Sequence, residues 1–430
     1  MFRSLENRNF RLYTGGQLVS VVGTAMQQVA QAWLVLTLTD SGIALGITVA
    51  LQFAPMLLFG IWGGLMADRL DKRRLLILTQ AAQGVLAVAL FALVASDVVT
   101  LWMVYGMAFS LGLVTCLDMP TRQSFTIEMV GPEHLTNAVA LNSAVFNSGR
   151  LVGPAVAGVL IAWVGVDVCF LVNGLSYVAT VLALRAMRPE ELDAQPRASR
   201  EPGQVRAGVR YVLRTPELRR PLLLLTVVGT LGFNFIVVLP LLATEDFGGG
   251  ARLLGVLNSL MGLGSLLGAL VAANRARPTR TVQVGGAAAF GVSAMAMAVA
   301  PNPVVAGILA VAMGMAMMIF LATTNSTLQL AADSAMRGRV MALYGLLFLG
   351  STPVGGPIVG WVSETWGARA GIALGGVASL LAAAASAGPE LRRRWVDGRS
   401  LLGRPPAVAV EGGTLPLAPA PGAGDPVEAA

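Results

Sequence analysis

The chain has 430 residues, of which 55% are hydrophobic and 12% charged, and its mean hydropathy is +0.71. These values exclude a soluble globular domain and point to a polytopic membrane protein, with room for about a dozen spans of roughly 20 to 25 residues and too little for a second large soluble domain. The net charge of +7 would suggest a polyanionic partner in a soluble protein. Here the bases gather between apolar runs, so topology explains them and no nucleic acid partner is expected.

In chain order, Arg3, Arg8 and Arg11 precede a first apolar run that continues to about Leu38. The run is longer than a secretory core and leads into further apolar segments, so it is expected to be a retained helix. Spans then follow near 43–67, 75–95, 101–119, 138–164 and 168–187. The polar, proline-bearing and arginine-rich stretch 188–220 reads as a cytoplasmic linker, with 205–213 helical along the membrane surface. The second half spans near 222–244, 253–273, 282–300, 304–328, 340–363 and 368–387, and ends in a Pro-, Gly- and Ala-rich tail. The expected division is a six-helix bundle over 1–187, the linker over 188–220, a second six-helix bundle over 221–388, and a disordered cytoplasmic tail over 389–430.

Placing the N-terminus in the cytoplasm puts all but three of the 30 bases on the inner side, the exceptions being Arg150 within a span and Arg252 and Arg369 outside. This is the positive-inside pattern of twelve helices with both termini cytoplasmic. The two halves also look related. Gly153-Pro154 with Gly158 in the fifth span is matched by Gly356-Pro357 with Gly360 in the eleventh. Such a duplication suits two bundles with a path between them. The prolines lack a backbone donor and their glycine neighbours pack closely, so both segments read as helix-bending or helix-packing motifs.

Between the second and third spans stands Gly63-Gly64-Leu65-Met66-Ala67-Asp68-Arg69-Leu70-Asp71-Lys72-Arg73-Arg74. Charges at this density belong where a chain leaves one side of a bilayer and turns back. The segment resembles the signature loop of the major facilitator superfamily. Together with Asp118-Met119-Pro120-Thr121-Arg122-Gln123 after the fourth span, Asn147-Ser148-Gly149-Arg150 and Phe170–Tyr177, it is similar to the exporter branch that includes enterobactin exporters and drug-efflux relatives. The resemblance implies an all-α fold of twelve transmembrane helices in two six-helix bundles. It also implies a gate in which Asp68 caps the start of the eleventh helix near Arg339, while Arg73 or Arg69 pairs with Asp118, and Gly64 allows close approach. The glycine-proline segment of the fifth span resembles the motif of antiporter members and so favours export.

For the substrate, Gln17, Thr24, Gln27, Gln28 and Gln31 fall within an arc of about 100° on the first span, a stripe that must face protein or a watered cavity. Ser143, Asn147 and Arg150 share a face of the fifth span, and an arginine at that depth is a functional candidate. The expected cavity residues are Gln27, Gln31, Asn147 and Arg150, with Asn234, Asn258 and Asn325 from the second half. No phosphate loop, no nucleophile–base set and only one histidine, His134, are present, so no enzyme activity, cofactor or metal is expected. The reading is a monomeric inner-membrane (plasma-membrane) secondary transporter in the lipid bilayer. It exports a small amphipathic organic molecule by alternating access, with protons as counter-ion. Its rivals are an uptake symporter, a membrane-embedded sensor and a lipid-modifying enzyme. No carboxylate is expected mid-membrane in the first, fourth or seventh span, which leaves proton coupling unassigned.

Overall fold

The computed structural model describes residues 3–193, 204–275, 278–334 and 336–396, and within these the side chains of Ile61, Asp68, 204–206 and 388–396 lie outside the description. The expected tail, 389–430, falls almost wholly outside it. Every regular element among the described residues is helical. They are α1 (Arg8–Thr39), α2 (Gly42–Arg69), α3 (Lys72–Ala95), α4 (Leu101–Trp163), α5 (Val166–Arg185), α6 (Gln204–Arg214), α7 (Pro216–Gly232), α8 (Phe235–Leu241), α9 (Ala251–Ala273), α10 (Arg280–Ala298), α11 (Pro303–Ala331), α12 (Arg337–Gly350), α13 (Thr352–Trp366) and α14 (Ala368–Val396). Residues 1–387 form one compact unit, and the described part of the remainder is the helical end of α14.

Local chemistry sets the helix starts. The side chains of Asn7, Ser41, Asp71, Thr279 and Asn302 each accept from a backbone N–H three residues on, satisfying donors that no helical carbonyl can reach. Eleven helical stretches among the described residues are long and apolar enough to cross a membrane. One of them, α4, has 63 residues, roughly 95 Å at about 1.5 Å per residue, some three times a hydrocarbon core of about 30 Å. It is broken at Gly131, where φ is 69° and ψ 172°, a left-handed conformation open to glycine, with Pro132 behind it. The two arms therefore cross separately, and the membrane is crossed twelve times.

The fourth span differs from its expected end. Instead of stopping at Met119, the helix runs through Pro120 to Gly131, so Asp118 lies inside a helix about 20 Å before the turn, by the rise per residue. The hydroxyl of Ser124 bonds the Pro120 carbonyl at 3.0 Å and helps hold this stretch. The seventh span is also interrupted, between α7 and α8 at Phe233 and Asn234, and the eleventh divides into α12 and α13 around Ser351. The helix expected over 205–213 is α6, which packs on α7 and α12. Its Tyr211 hydroxyl bonds Asp333 at 2.9 Å, in the turn after α11.

Within the first half, α1 packs on α4 and α5, and α3 on α5. In the second, α11 packs on α9, α10 and α7. The halves meet where α2 lies against α13 and the second arm of α4 against α9. Backbone touches backbone there. A Cβ on Gly42 would stand 2.8 Å from the Gly360 carbonyl oxygen, one on Gly255 2.5 Å from that of Pro154, and one on Gly46 would collide with the Gly356 oxygen. These contacts lie toward the end of the bundle opposite the basic face, the face carrying Arg8, Lys72, Arg73 and Arg188.

Because a backbone oxygen cannot swing aside, Gly46→Ala is expected to cost about 1 to 3 kcal/mol by overpacking. Gly60→Ala, whose Cβ would meet only the Met56 sulfur at 3.5 Å, is expected to be neutral. Thermal unfolding of the two purified variants in detergent checks this.

Candidate functional site

Between the halves lies a cavity of about 210 Å³. Its polar wall is Gln28 of α1, Arg150 of α4, Asn258 and Ser265 of α9 and Thr352 of α13, and the remainder is apolar, including Phe53, Phe233, Met261, Met317 and Phe348. Such a mixture of aromatic walls and few polar groups suits a small amphipathic molecule. The glycines around Arg150 explain its position. Gly149 packs on Val21 and Gly153 on Ala25 and Met26 of α1, while Gly262 of α9 comes against the Arg150 carbonyl. The residue is thereby held at the seam between the halves, where it lines the cavity, and no hydrogen bond or ion pair joins its side chain to any described residue. No Asp or Glu lines the wall.

Of the expected cavity residues, Arg150 and Asn258 line the wall. Gln27 does not: its side-chain oxygen accepts from Asn173 of α5 at 2.5 Å inside the first half. Gln31 is buried away from the cavity. Two residues of the stripe on α1 hold α5, Gln27 and also Thr24, which bonds Tyr177 at 3.1 Å, and beside them Thr180 bonds the Gly16 carbonyl at 3.1 Å. One hundred degrees further round, Gln28 faces the cavity instead. Asn147 is half-buried on α4 one turn before Arg150 and is not part of the wall. Asn234 bonds back to the Thr230 carbonyl at 2.7 Å, where the seventh span breaks, and faces a small separate pocket. Asn325 accepts from Gln329 at 2.6 Å on its own helix. A short polar side chain on an expected face finds its nearest partner first, and only the neighbouring helix determines which.

The expected pairing of Asp118 with Arg73 or Arg69 is not formed. Asp118 is buried and pairs with Arg122, one turn further along α4. Its other oxygen accepts from Thr79 at 2.7 Å and Gln80 at 2.8 Å on α3. Arg122 also donates to Gln17 of α1, so one network ties three helices of the first half. Arg73, at the start of α3, donates to the carbonyls of Leu184 and Arg185 at 2.7 and 3.0 Å, closing the C-terminus of α5 where unpaired carbonyls and the helix dipole favour a cation. Its neighbour Lys72 pairs with Glu128, and Arg69 is exposed. Gly64 is half-buried in α2. The backbone of Asp68 is helical, but its side chain lies outside the described residues, so its cap on the eleventh span is not on view. At that span's start, Arg339 packs beside Gly208 of α6.

At the opposite face the structure shows a feature absent from the expected site residues. Glu364, near the end of α13, accepts from the Ser41 hydroxyl at 2.5 Å and from the Ile43 N–H at 2.9 Å. A carboxylate from the second half thus caps the first turn of α2 in the first, where the helix dipole favours negative charge. The glycines of the two related segments are the contact points beneath it, Gly356 and Gly360 meeting Gly46 and Gly42, while Gly158 beside Pro154 meets Gly255. Nearby, Arg369 donates to Asp246 at 2.6 Å and to the carbonyls of Ala298 and Ala300, pinning loops of the second half. The signal for Arg122 was its i, i+4 spacing from Asp118. Nothing in the sequence joins residues 41 and 364.

Removing one partner of a buried ion pair strands the other, at about 3 to 5 kcal/mol. Asp118→Asn is therefore expected to lower the unfolding temperature far more than Arg69→Gln, whose side chain is exposed. Thermal denaturation of the purified variants measures it.

The chain matches the transmembrane secretion effector family over residues 1–403. It is 26% identical over 251 residues to the staphyloferrin A transporter of Staphylococcus aureus, covering 58% of this chain and 63% of that one. The chain thus aligns with less than two thirds of that relative's length. It is 27% identical over 367 residues to the multidrug efflux pump Tap of Mycolicibacterium fortuitum, covering 82% and 88%. In structure it resembles a bacterial homologue of the human lysosomal transporter Spinster in an inward-facing, unoccupied conformation, with a TM-score of 0.71 at 14% identity over 92% of this chain and 98% of that one. The fold is the major facilitator fold, and the relatives are transporters, not enzymes. The chain is a multi-pass membrane protein belonging to the transmembrane secretion effector family of the major facilitator superfamily.

Proposed function

We propose that the protein exports a small amphipathic organic molecule, siderophore-like or drug-like, across the plasma membrane by alternating access. The observation that carries this is the cavity at the seam of two related halves, with backbone contacts and a cross-capping carboxylate gathered toward one end of that seam. The activities of the relatives, a siderophore transporter and a multidrug pump, agree with it. The basic face is cytoplasmic, as are both termini, by the positive-inside distribution of arginines. The functional division remains two bundles, 1–187 and 221–388, joined by 188–220 and followed by the tail, in a protein that acts as a monomer.

In this reading the residues divide between two gates. Toward the outside, Glu364 and the glycine contacts hold the halves together. Toward the cytoplasm, Asp68 caps the start of α12 beside Arg339 when the halves rock the other way, with Arg69 next to it. Arg73 and the Asp118–Arg122 pair hold the first half rigid rather than bridging the gate. Protons serve as counter-ion through carboxylates outside the cavity, because its wall has none. Glu364 is the best placed of these, because it caps α2 of one half from α13 of the other at the outer closure.

Transport direction tests the proposal. Accumulation of a fluorescent substrate in energised inverted vesicles, and not in right-side-out vesicles, is expected of an exporter, and the reverse result would make it an uptake system. Asp68→Asn is expected to abolish efflux with membrane expression unchanged, measured in the same vesicles beside immunoblots. Glu364→Ala is expected to raise labelling of Gln28→Cys by an impermeant maleimide added from outside, because the outer closure loses its cap. Unchanged labelling would remove Glu364 from the gate.

A further inference from the structure

We infer that the transported molecule is an organic anion, held by Arg150 as its counter-charge within the cavity. The inference deepens the transport reading and rests on the cavity being the transport site. Four observations converge on it. Arg150 supplies the only ionisable side chain in the cavity wall, and a guanidinium does not lose its proton in a protein. No described residue offers it a hydrogen bond or an ion pair, whereas Arg122, inside the first half, is held by Asp118 and Gln17. No carboxylate lines the wall to attract a cation. Beside Arg150 the wall offers as further donors the amide of Gln28, the second N–H of Asn258, whose first bonds the Leu254 carbonyl, and the hydroxyl of Thr352, with the rings of Phe53, Phe233 and Phe348 around them.

An unpaired cation inside a membrane protein is costly unless something answers its charge. A planar carboxylate or sulfonate does so with two parallel hydrogen bonds, and a lipophilic cation in the same space would meet like charge without a screening partner. The apolar rings would take the body of the molecule. The sign of the substrate also bears on energetics. An interior-negative membrane potential drives an anion outward, so export gains from the potential before any proton is exchanged.

The test uses the full-length protein purified in detergent and three ligands with one aromatic body: 1-naphthoate, 1-naphthamide and 1-naphthylmethylammonium. Calorimetric titration is expected to rank the anion about ten-fold or more above the neutral amide and the cation last. Arg150→Gln is expected to erase the preference and Arg150→Lys to retain part of it, with unfolding temperatures confirming that both variants fold. Equal or tighter binding of the cation, no detectable binding of the anion, or a preference that survives Arg150→Gln would each overturn the inference. Reconstituted vesicles separate it from the export reading. Naphthoate bound selectively but carried inward would remove export and leave the anion site standing. Outward flux of a cation such as ethidium that is indifferent to Arg150 would do the opposite.

Discussion

The contact on which the structure depends is the meeting of two helix backbones without side chains between them. Where α2 crosses α13 and α4 crosses α9, glycine lies against carbonyl oxygen, and in hydrocarbon such packing is the main attraction available, since lipid tails are as apolar as leucine. It brings the halves close along two seams and leaves the space between them to be lined by α1, the interrupted seventh span and α9. The cavity is therefore a consequence of where glycines allow approach and where larger residues, among them Phe233 and Met261, hold the helices apart.

The polar groups of the membrane-embedded region fall into two populations with different consequences. Asp118, Arg122, Gln17, Thr79 and Gln80 are joined by hydrogen bonds within the first half, and a buried network of this kind stiffens a bundle, although the Gln80 side-chain oxygen has no partner in it. Gln27 and Asn173 do the same between α1 and α5. Arg150 has no hydrogen-bond or ion-pair partner among the described residues, and it sits where the halves face each other. A rocking mechanism needs this division: each half must move as a body, and the charge left unanswered must be at the place where a ligand can answer it.

Glu364 adds a device of the same kind at one end of the seam. Capping α2 from α13 joins two halves through a helix terminus, using donors that every helix leaves free. The expected role of Asp68 at the other end has the same chemistry with the halves exchanged, an acid at the end of one helix facing the start of another. Two acids at opposite ends of the pair formed by the second and eleventh spans would then favour opposite states, so neither closure need be strong for the balance between them to be controlled.

Much of the architecture was readable in the residues. Twelve crossings, the helix over 204–214 and the turn at 70–71 follow from apolar run length, from arginines placed between runs and from Pro and Gly punctuation, all of which are local properties. The depth of Arg150 was legible for the same reason. What the sequence could not decide was partnership. Helical periodicity puts Gln27 and Gln28 100° apart and cannot say which turn meets α5 and which meets empty space. Nor can it join Ser41 to Glu364, or assign Asp118 to Arg122 rather than Arg73, because those choices belong to the neighbours that packing supplies. The chain alone determined that charges and amides must lie inside the bilayer and that each would need an answer. Only the tertiary structure decided which were answered by protein and which was left for a ligand, because satisfaction of a buried polar group depends on distances between helices far apart in sequence.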